Sequence, residues 1–423
     1  MSAPSRPRAA VVGSGVAGLT AAYVLQRRFD VTLFETDDRL GGHAHTHEVV
    51  ASDGRPLYVD SGFIVHNRVT YPNLVRLFDE LGVAAQPTEM SMSVRCEGCG
   101  LEYAGARGLG GVFARPGSAA RPAFLRMLLE ISRFHRHARR VLDDLDGRTT
   151  LGGFLQRGGY SPYFVSHFAV PVVSAVWSAA PETALLYPAG YLFRFLANHG
   201  MLSVKGSHQW YSMVGGSRTY VEAVAKNLAA VRCSTPVRAV RRLAGRRGVV
   251  ITSASGEETF DAAVIATHPQ AALAILASPT RAERRALGAF RYSANRTVLH
   301  TDERILPRQP RARASWNYLL PSCSASSDKV LVSYDMNRLQ RLPTSEPYIV
   351  TLNATDRVAA ERVVAAMDYE HPIYTPASVA AQALLPGLND GVLAFAGAYH
   401  GWGFHEDGCR SGAAAAESLG VAW

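Results

Sequence analysis

Lysine is almost missing from this chain. Of 44 basic residues in 423, only Lys205, Lys226 and Lys329 are lysines, and arginine supplies the rest, a bias that suggests a GC-rich coding genome. Cysteine is also scarce. Cys96, Cys99, Cys233, Cys323 and Cys409 make an odd, sparse set that does not resemble a disulfide framework and suits a reducing cytoplasm. Apolar runs long enough to cross a bilayer without charges or glycine and proline breaks are absent beyond residue 25. Within the first 25 residues, Arg6 and Arg8 precede an apolar stretch ending at Leu25, as in a secretory signal, yet three glycines interrupt it and no small-residue cleavage site follows. The expectation is a cytoplasmic protein, soluble or peripheral to the inner membrane face. Basic strands interleaved with aromatics and zinc-finger spacings are lacking too, so nucleic acid is not an expected partner. With 48% apolar residues, the chain is globular and long enough for two intimately packed domains.

What the chain does have begins at Ala9. An apolar strand runs into Gly13-Ser14-Gly15-Val16-Ala17-Gly18, and a helix follows. Glycines at these positions let the backbone approach a pyrophosphate while the positive helix end stabilises its charge. A second apolar strand, Val31 to Phe34, ends on Glu35, where a carboxylate accepts hydrogen bonds from ribose hydroxyls. No arginine stands there to receive a 2'-phosphate. Arg39-Leu40-Gly41-Gly42 adds a second glycine turn, which makes the ligand a dinucleotide and favours FAD.

Coarse periodicity predicts helices over Gly18 to Arg28 and Tyr71 to Leu81, then a hairpin of Met90 to Arg95 and Leu101 to Tyr103 around Cys96-Glu97-Gly98-Cys99-Gly100. A lone CxxC without a second pair argues for a turn rather than for zinc or a redox pair. Residues 121–199 read as mostly helical. In 121–146, Phe124, Leu128, Ile131, Phe134, Ala138, Val141 and Leu145 form an apolar stripe on a cationic helix. Such a helix either touches an anionic membrane or simply covers its own core. Strands are expected over Val231 to Val240, Gly248 to Ser253, Phe260 to Thr267 and Val392 to Ala396. One helix, Asp356 to Met367, is expected among alternating strands of 279–387, and a last helix near Gly408. This gives a discontinuous nucleotide domain (1–85, 206–278 and 388–423) and a substrate domain (86–205 and 279–387).

On these motifs, together with Val59-Asp60-Ser61-Gly62, Gly215-Gly216, Thr235-Pro236-Val237, Val264-Ile265-Ala266-Thr267 and Gly397 to Gly412, the chain resembles the flavin-containing amine oxidase superfamily, which includes phytoene desaturases and protoporphyrinogen oxidases. More narrowly, Val59 to Val65 followed by Thr70-Tyr71-Pro72-Asn73-Leu74 is similar to a bacterial branch of predicted NAD/FAD-binding proteins often linked to fatty-acid modification genes. The resemblance implies an α/β fold: a Rossmann-like FAD-binding domain of the glutathione-reductase-2 type, interleaved with an α+β substrate domain. It places Gly13, Ser14, Gly15, Val16, Ala17, Gly18, Glu35, Thr36, Arg39, Gly41, Gly42, His43, Gly62, Phe63, Val237, Gly397, His405, Glu406 and Gly408 at the cofactor. In the superfamily the Arg-x-Gly-Gly turn lies along the diphosphate, the Val237 position gives its backbone to adenine, and the last segment faces the isoalloxazine.

A lysine near the flavin is a feature of many amine oxidases, and the corresponding stretch here, Arg291 to His300, has none. That puts amine oxidation itself in doubt. Lys205, Tyr399 and Trp402 are the remaining weak catalytic candidates. Trp177, Tyr187, Tyr191, Trp210 and Tyr211 belong either to an aromatic cavity or to the core. The alternating His43, His45 and His47 lack a fourth ligand, so no metal is expected. No cysteine precedes Gly408 in the closing segment, and Cys409 is expected to open the last helix, so FAD is expected to be noncovalent. The expected activity is hydride transfer from a hydrophobic substrate, such as an unsaturated fatty-acyl chain, to flavin N5. The alternatives are a redox-neutral double-bond isomerase and a flavin-binding partner without turnover.

Overall fold

In the computed structural model, which describes residues 6–142, 148–203, 208–245, 247–324 and 329–423, the strand Arg8–Val12 sits at the centre of a five-stranded parallel sheet. Asp30–Phe34 pairs on one side and Ala262–Ile265 on the other, with Ala230–Arg232 and Leu393–Phe395 at the edges. Their inner residues, among them Val11, Leu33, Val264 and Ala394, are apolar and fully buried, as in a parallel sheet covered on both faces. Helix Val16–Leu25 is buried on almost every side and packs against the last helix, His405–Ser418. Close approach is built in: a Cβ at Gly408 would meet Val16 Cγ1 at 2.6 Å, and one at Gly412 would meet the Ala17 carbonyl at 2.2 Å.

A second sheet of seven strands runs in the order Val363–Ile373, Arg291–His300, Ile349–Leu352, Val332–Asp335, Trp316–Leu320, Met92–Cys96, Glu102–Ala104. One apolar core, including Val94, Phe134, Phe193, Tyr318 and Leu352, joins it to the helices Pro122–Arg140, Val170–Trp177 and Ala189–Asn198. Among the described residues no helix is long and apolar enough to cross a membrane.

Three expectations need correction. The helix expected over Asp356 to Met367 is two short 3-10 turns followed by the eleven-residue strand Val363–Ile373, which pairs antiparallel with Arg291–His300. Ladder pairing to a long neighbour outweighs the helix propensity of its alanines. The expected strand Val231 to Val240 breaks at Ser234, whose φ is 49°, and at Pro236; its first part joins the parallel sheet and its second begins a separate antiparallel sheet. The last helix starts at His405, so Cys409 lies inside it, fully buried, rather than opening it.

Candidate functional site

The C-terminal ends of the parallel strands open onto one cavity of about 920 Å³, which continues into the helical part of the second domain. Small-molecule sites span roughly 300–1,000 Å³, so this is a large one. Its nucleotide end is lined by Gly13 to Ala17, Glu35, Gly42, His43, Gly62 and Phe63.

The glycines there do different things. Gly13 has φ 98°, and a Cβ on it would meet the Ala266 carbonyl at 2.9 Å. On Gly18 a Cβ would fall 1.9 Å from the Gly13 carbonyl oxygen, so helix and loop pack only because residue 18 is glycine. A Cβ on Gly15 would meet nothing within 4 Å, because that position faces the cavity. The second glycine turn closes on the first: Gly41 N–H donates to the Ser14 carbonyl and to Ser14 Oγ, and a Cβ on Gly42 would lie 3.2 Å from Gly15 Cα. Glu35 ties the pieces together. One carboxylate oxygen accepts from Ser14 N–H at 2.8 Å and from Ser14 Oγ; the other accepts from the backbone N–H of Thr36 and Asp37. Thr36 itself is exposed, and Arg39 donates to the Gly42 carbonyl, bracing the turn from outside the cavity lining. Thr235 N–H donates to the Glu35 carbonyl, which brings the segment holding Val237 beside it, although the Val237 side chain joins the core.

At the far side of the loop, Gly397, Ala398, Tyr399, Gly403, Phe404 and His405 line the cavity. His405 lies flat on Phe63, ring centroids 3.6 Å apart, and is the first residue of the last helix, whose positive end therefore meets the cavity. Glu406 and Gly408 are not brought to it. Glu406 accepts hydrogen bonds from Asn73 N–H, Asn73 Nδ2 and Leu74 N–H, capping helix Pro72–Leu81. Gly408 serves helix packing. Of the three, only His405 has a side chain on the cavity wall.

Of the catalytic candidates, Tyr399 lines the cavity and its hydroxyl has no protein partner. Trp402 stands behind the lining, against Tyr191 and Phe195. Lys205 lies outside the described residues. Of the five aromatics weighed for the cavity, Trp177 and Trp210 line it, whereas Tyr187, Tyr191 and Tyr211 do not. Sequence reasoning missed four neighbours: His268, Tyr369, Glu370 and His371. His268 follows directly on the Val264-Ile265-Ala266-Thr267 motif, where an open α/β sheet places ligand contacts. The other three lie on the last part of strand Val363–Ile373, beyond the helix expected over Asp356 to Met367. His268 Nδ1 meets Glu370 at 2.9 Å, and His43 stacks on Tyr369 at 5.0 Å. His45 and His47 do not join His43 in a cluster but fix Tyr369 through its hydroxyl and Ser61. Burial pushes His371 down to about 4 and His405 to about 3, and holds His43 well below the ordinary imidazole range, so all three are neutral at physiological pH.

Asp60, quoted above only as part of a motif, is a buried hub. It accepts from Thr46 Oγ1, Ser217 N–H, Ser217 Oγ and Gln340 Nε2, fixing the start of helix Arg218–Ala225 under the glycine turn.

Beyond the nucleotide end the chamber is apolar, walled by Met92, Ile131, Phe134, Phe168, Val172 and Phe195 among others. Among the described residues that line the whole cavity there is no lysine, arginine or aspartate, and the two glutamates, Glu35 and Glu370, already have partners. The cavity opens at Gly105, Ala106, Ser132 and Ser203, which line it and are solvent-exposed.

The donor set fits FAD. A glycine loop open at Gly15 precedes a helix N-terminus, a carboxylate ends the second strand, and His43 Nε2, Tyr399 OH and His405 Nε2 are buried without protein partners on the cavity wall.

Comparison with known proteins agrees. The family described as flavin containing amine oxidoreductase matches residues 16–419. No curated protein matches the chain. Similar solved structures include cyclohexylamine oxidase from Brevibacterium oxydans (17% identity, 98% of this chain and 100% of that one, TM-score 0.66) and putrescine oxidase bound to putrescine (16%, 98% and 99%, 0.66). A third is a conjugated-linoleic-acid-producing fatty acid isomerase from P. acnes (14%, 96% and 97%, 0.67). At these identities the likeness establishes the shared fold.

Proposed function

The chain belongs to the flavin containing amine oxidoreductase family and is an FAD-dependent oxidoreductase; from that premise we propose that its substrate is a long apolar molecule, an unsaturated fatty-acyl chain, rather than an amine. The observation that carries this reading is the lining of the chamber. An ammonium group needs a carboxylate or an aromatic cage with polar relief, and the described lining beyond the nucleotide end offers no unpaired charge. An acyl chain needs only apolar wall. Each methylene removed from water contributes about 0.8 kcal/mol.

When bound, FAD would supply the electron sink for a hydride leaving the substrate. The protein's part is position and exclusion of water. The backbone of Gly13 to Ala17 and Gly42 would hold the diphosphate, with Gly18 and Gly41 closing the loop behind it, Glu35 would stand at the ribose, and the His405 end of the last helix at the ring. Phe134, Phe168, Val172 and Phe195 hold the apolar chain against the ring and keep the chamber dry. His43, His371 and His405, neutral at physiological pH, offer hydrogen bonds without adding charge. No cysteine lines the cavity among the described residues, so a thioether to the flavin has no donor there, and we take FAD to be held noncovalently.

The mouth suits a substrate that arrives from a lipid surface. Ser132 lies on helix Pro122–Arg140, which exposes Leu125 and Leu129 together with Arg126, Arg133, Arg136, Arg139 and Arg140, and Leu109 is exposed on the short helix Gly108–Val112 just after Ala106. Exposed leucines among arginines are the chemistry of a peripheral contact with anionic lipid, here at the inner membrane face.

Anaerobic mixing of the holoprotein with fatty acids, lipids and amines tests the proposal. Lasting bleaching of the flavin by an unsaturated fatty acid supports it. A shifted double bond without bleaching would make the protein a redox-neutral isomerase, bleaching by amines alone would overturn the substrate class, and silence across the panel would favour a partner role.

A further inference from the structure

The hairpin turn Cys96-Glu97-Gly98-Cys99 is more than a turn. The fold brings to it two residues that the sequence holds far away, His167 from the π-helical stretch Val165–Ala169 and Cys323 from the loop after strand Trp316–Leu320. The three sulfurs and the imidazole nitrogen lie within 4.8 Å of one another. We propose that Cys96, Cys99, His167 and Cys323 form a four-coordinate structural zinc site.

The distances have the right size. With Zn–S of about 2.3 Å and Zn–N of about 2.0–2.1 Å, tetrahedral geometry sets neighbouring sulfurs about 3.8 Å apart and sulfur and nitrogen about 3.5 Å apart. Cys96 Sγ and Cys323 Sγ are 3.8 Å apart, and Cys99 Sγ and His167 Nε2 are 3.5 Å apart. All three cysteines are free thiols. Three sulfurs and one imidazole are a ligand set that selects zinc over the hard cations and leaves no open position for catalysis.

The surroundings are those of a metal ligand set rather than a chance cluster. His167 is fully buried, and its Nδ1 lies 3.1 Å from the Tyr163 carbonyl and 2.7 Å from Ser166 Oγ. A proton on Nδ1, donated to that carbonyl, leaves the Nε2 lone pair for the cluster. The ring is held flat against Tyr163 at 3.9 Å, and Tyr103 OH donates to the His167 carbonyl. Gly98 is required in the turn, since a Cβ there would meet Cys323 N at 2.9 Å and Cys323 Sγ at 3.2 Å. Arg121 donates to the Cys99 carbonyl at 2.9 Å, which sets a positive charge beside a site that three thiolates and one zinc ion would leave with a single negative charge.

The site would tie the sheet edge to the helical layer. His167 adjoins Phe168, and Val172 follows one turn on; both wall the apolar chamber, so the metal would fix the chamber's shape without touching the flavin.

Metal analysis of the full-length holoprotein, purified under reducing conditions without chelator, tests this independently of the flavin reading, because FAD is read from the visible spectrum of the same sample. The expected result is one zinc per chain. The exposed Cys323 permits a variant that should fold: Cys323→Ser should weaken zinc in a chelator competition at least about tenfold while FAD content stays the same, and Cys233→Ser should leave zinc unchanged. Cobalt exchanged for zinc should give tetrahedral d–d bands with a thiolate charge-transfer band that weakens in Cys323→Ser. Protein free of zinc after reconstitution with the ion, zinc insensitive to Cys323→Ser, or a cobalt spectrum without thiolate bands would each overturn the proposal.

Discussion

Gly15 and Gly18 stand three residues apart in one motif, and the structure gives them opposite jobs, so replacing each by alanine separates ligand contact from folding. Gly15 has φ −62° and ψ 173°, a conformation open to any residue, and its added Cβ would project into the cavity with nothing within 4 Å. Gly15→Ala should therefore leave the stability of the FAD-free protein within about 1 kcal/mol of the parent. The methyl would stand where the diphosphate approaches and cost at least one charge-assisted hydrogen bond, about 1.5–3 kcal/mol, or roughly 10- to 150-fold in affinity. In Gly18→Ala the Cβ would lie 1.9 Å from the Gly13 carbonyl oxygen, so helix Val16–Leu25 must move off its loop. That overpacking should cost about 1–3 kcal/mol in the apoprotein itself. Urea unfolding of both apoproteins, with FAD titration followed by quenching of flavin fluorescence, reads the two effects separately. The reasoning is refuted if Gly15→Ala binds FAD like the parent, or loses FAD only in proportion to lost stability.

Other outcomes follow from the same geometry. Across a homologous series of unsaturated fatty acids, each added methylene should tighten binding about fourfold, from about 0.8 kcal/mol, until the chamber is full; a flat series would remove the chamber from the binding site. Val176→Trp, which fills the apolar chamber away from the glycine loop, should abolish turnover of the longest substrates while FAD content is retained, as checked by absorbance and steady-state rates. His371 is buried with its pKa lowered to about 4, so the unfolded state binds the proton more readily: its contribution to stability is complete above about pH 6.5 and declines as pH falls toward 4. Between pH 7 and pH 5 the apoprotein should therefore lose about 2 kcal/mol relative to His371→Gln in urea melts, and an equal pH dependence of both proteins would contradict that burial. Leu125→Glu with Leu129→Glu should reduce sedimentation with vesicles rich in anionic phospholipid and leave FAD content unchanged; undiminished binding would move the membrane contact elsewhere.

Much of the nucleotide end was legible in the sequence because its physics is local. A glycine loop between strand and helix leaves few alternatives, and the backbone around Gly13, Gly18 and Gly41 leaves almost no room for a Cβ. What the sequence concealed depends on partners distant along the chain. Val363–Ile373 is a strand because Arg291–His300 lies beside it, and only that pairing carries Tyr369, Glu370 and His371 to the cavity, where no local motif marks them. Glu406 looked like a ligand to the cofactor, yet the first turn of helix Pro72–Leu81 takes its carboxylate. Cys96 and Cys99 looked like half a motif because His167 and Cys323 reach them only through the packing of helix on sheet. Local signals thus located the glycine loop, whereas the walls of the chamber and the cysteine cluster came from tertiary structure.

Whether a flavin is held without a covalent bond across the glycine loop is tested most directly by the visible spectrum of the purified protein before and after acid denaturation. A yellow protein that releases one FAD per chain into the supernatant is the predicted result; a colourless protein that cannot be reconstituted with FAD would contradict it.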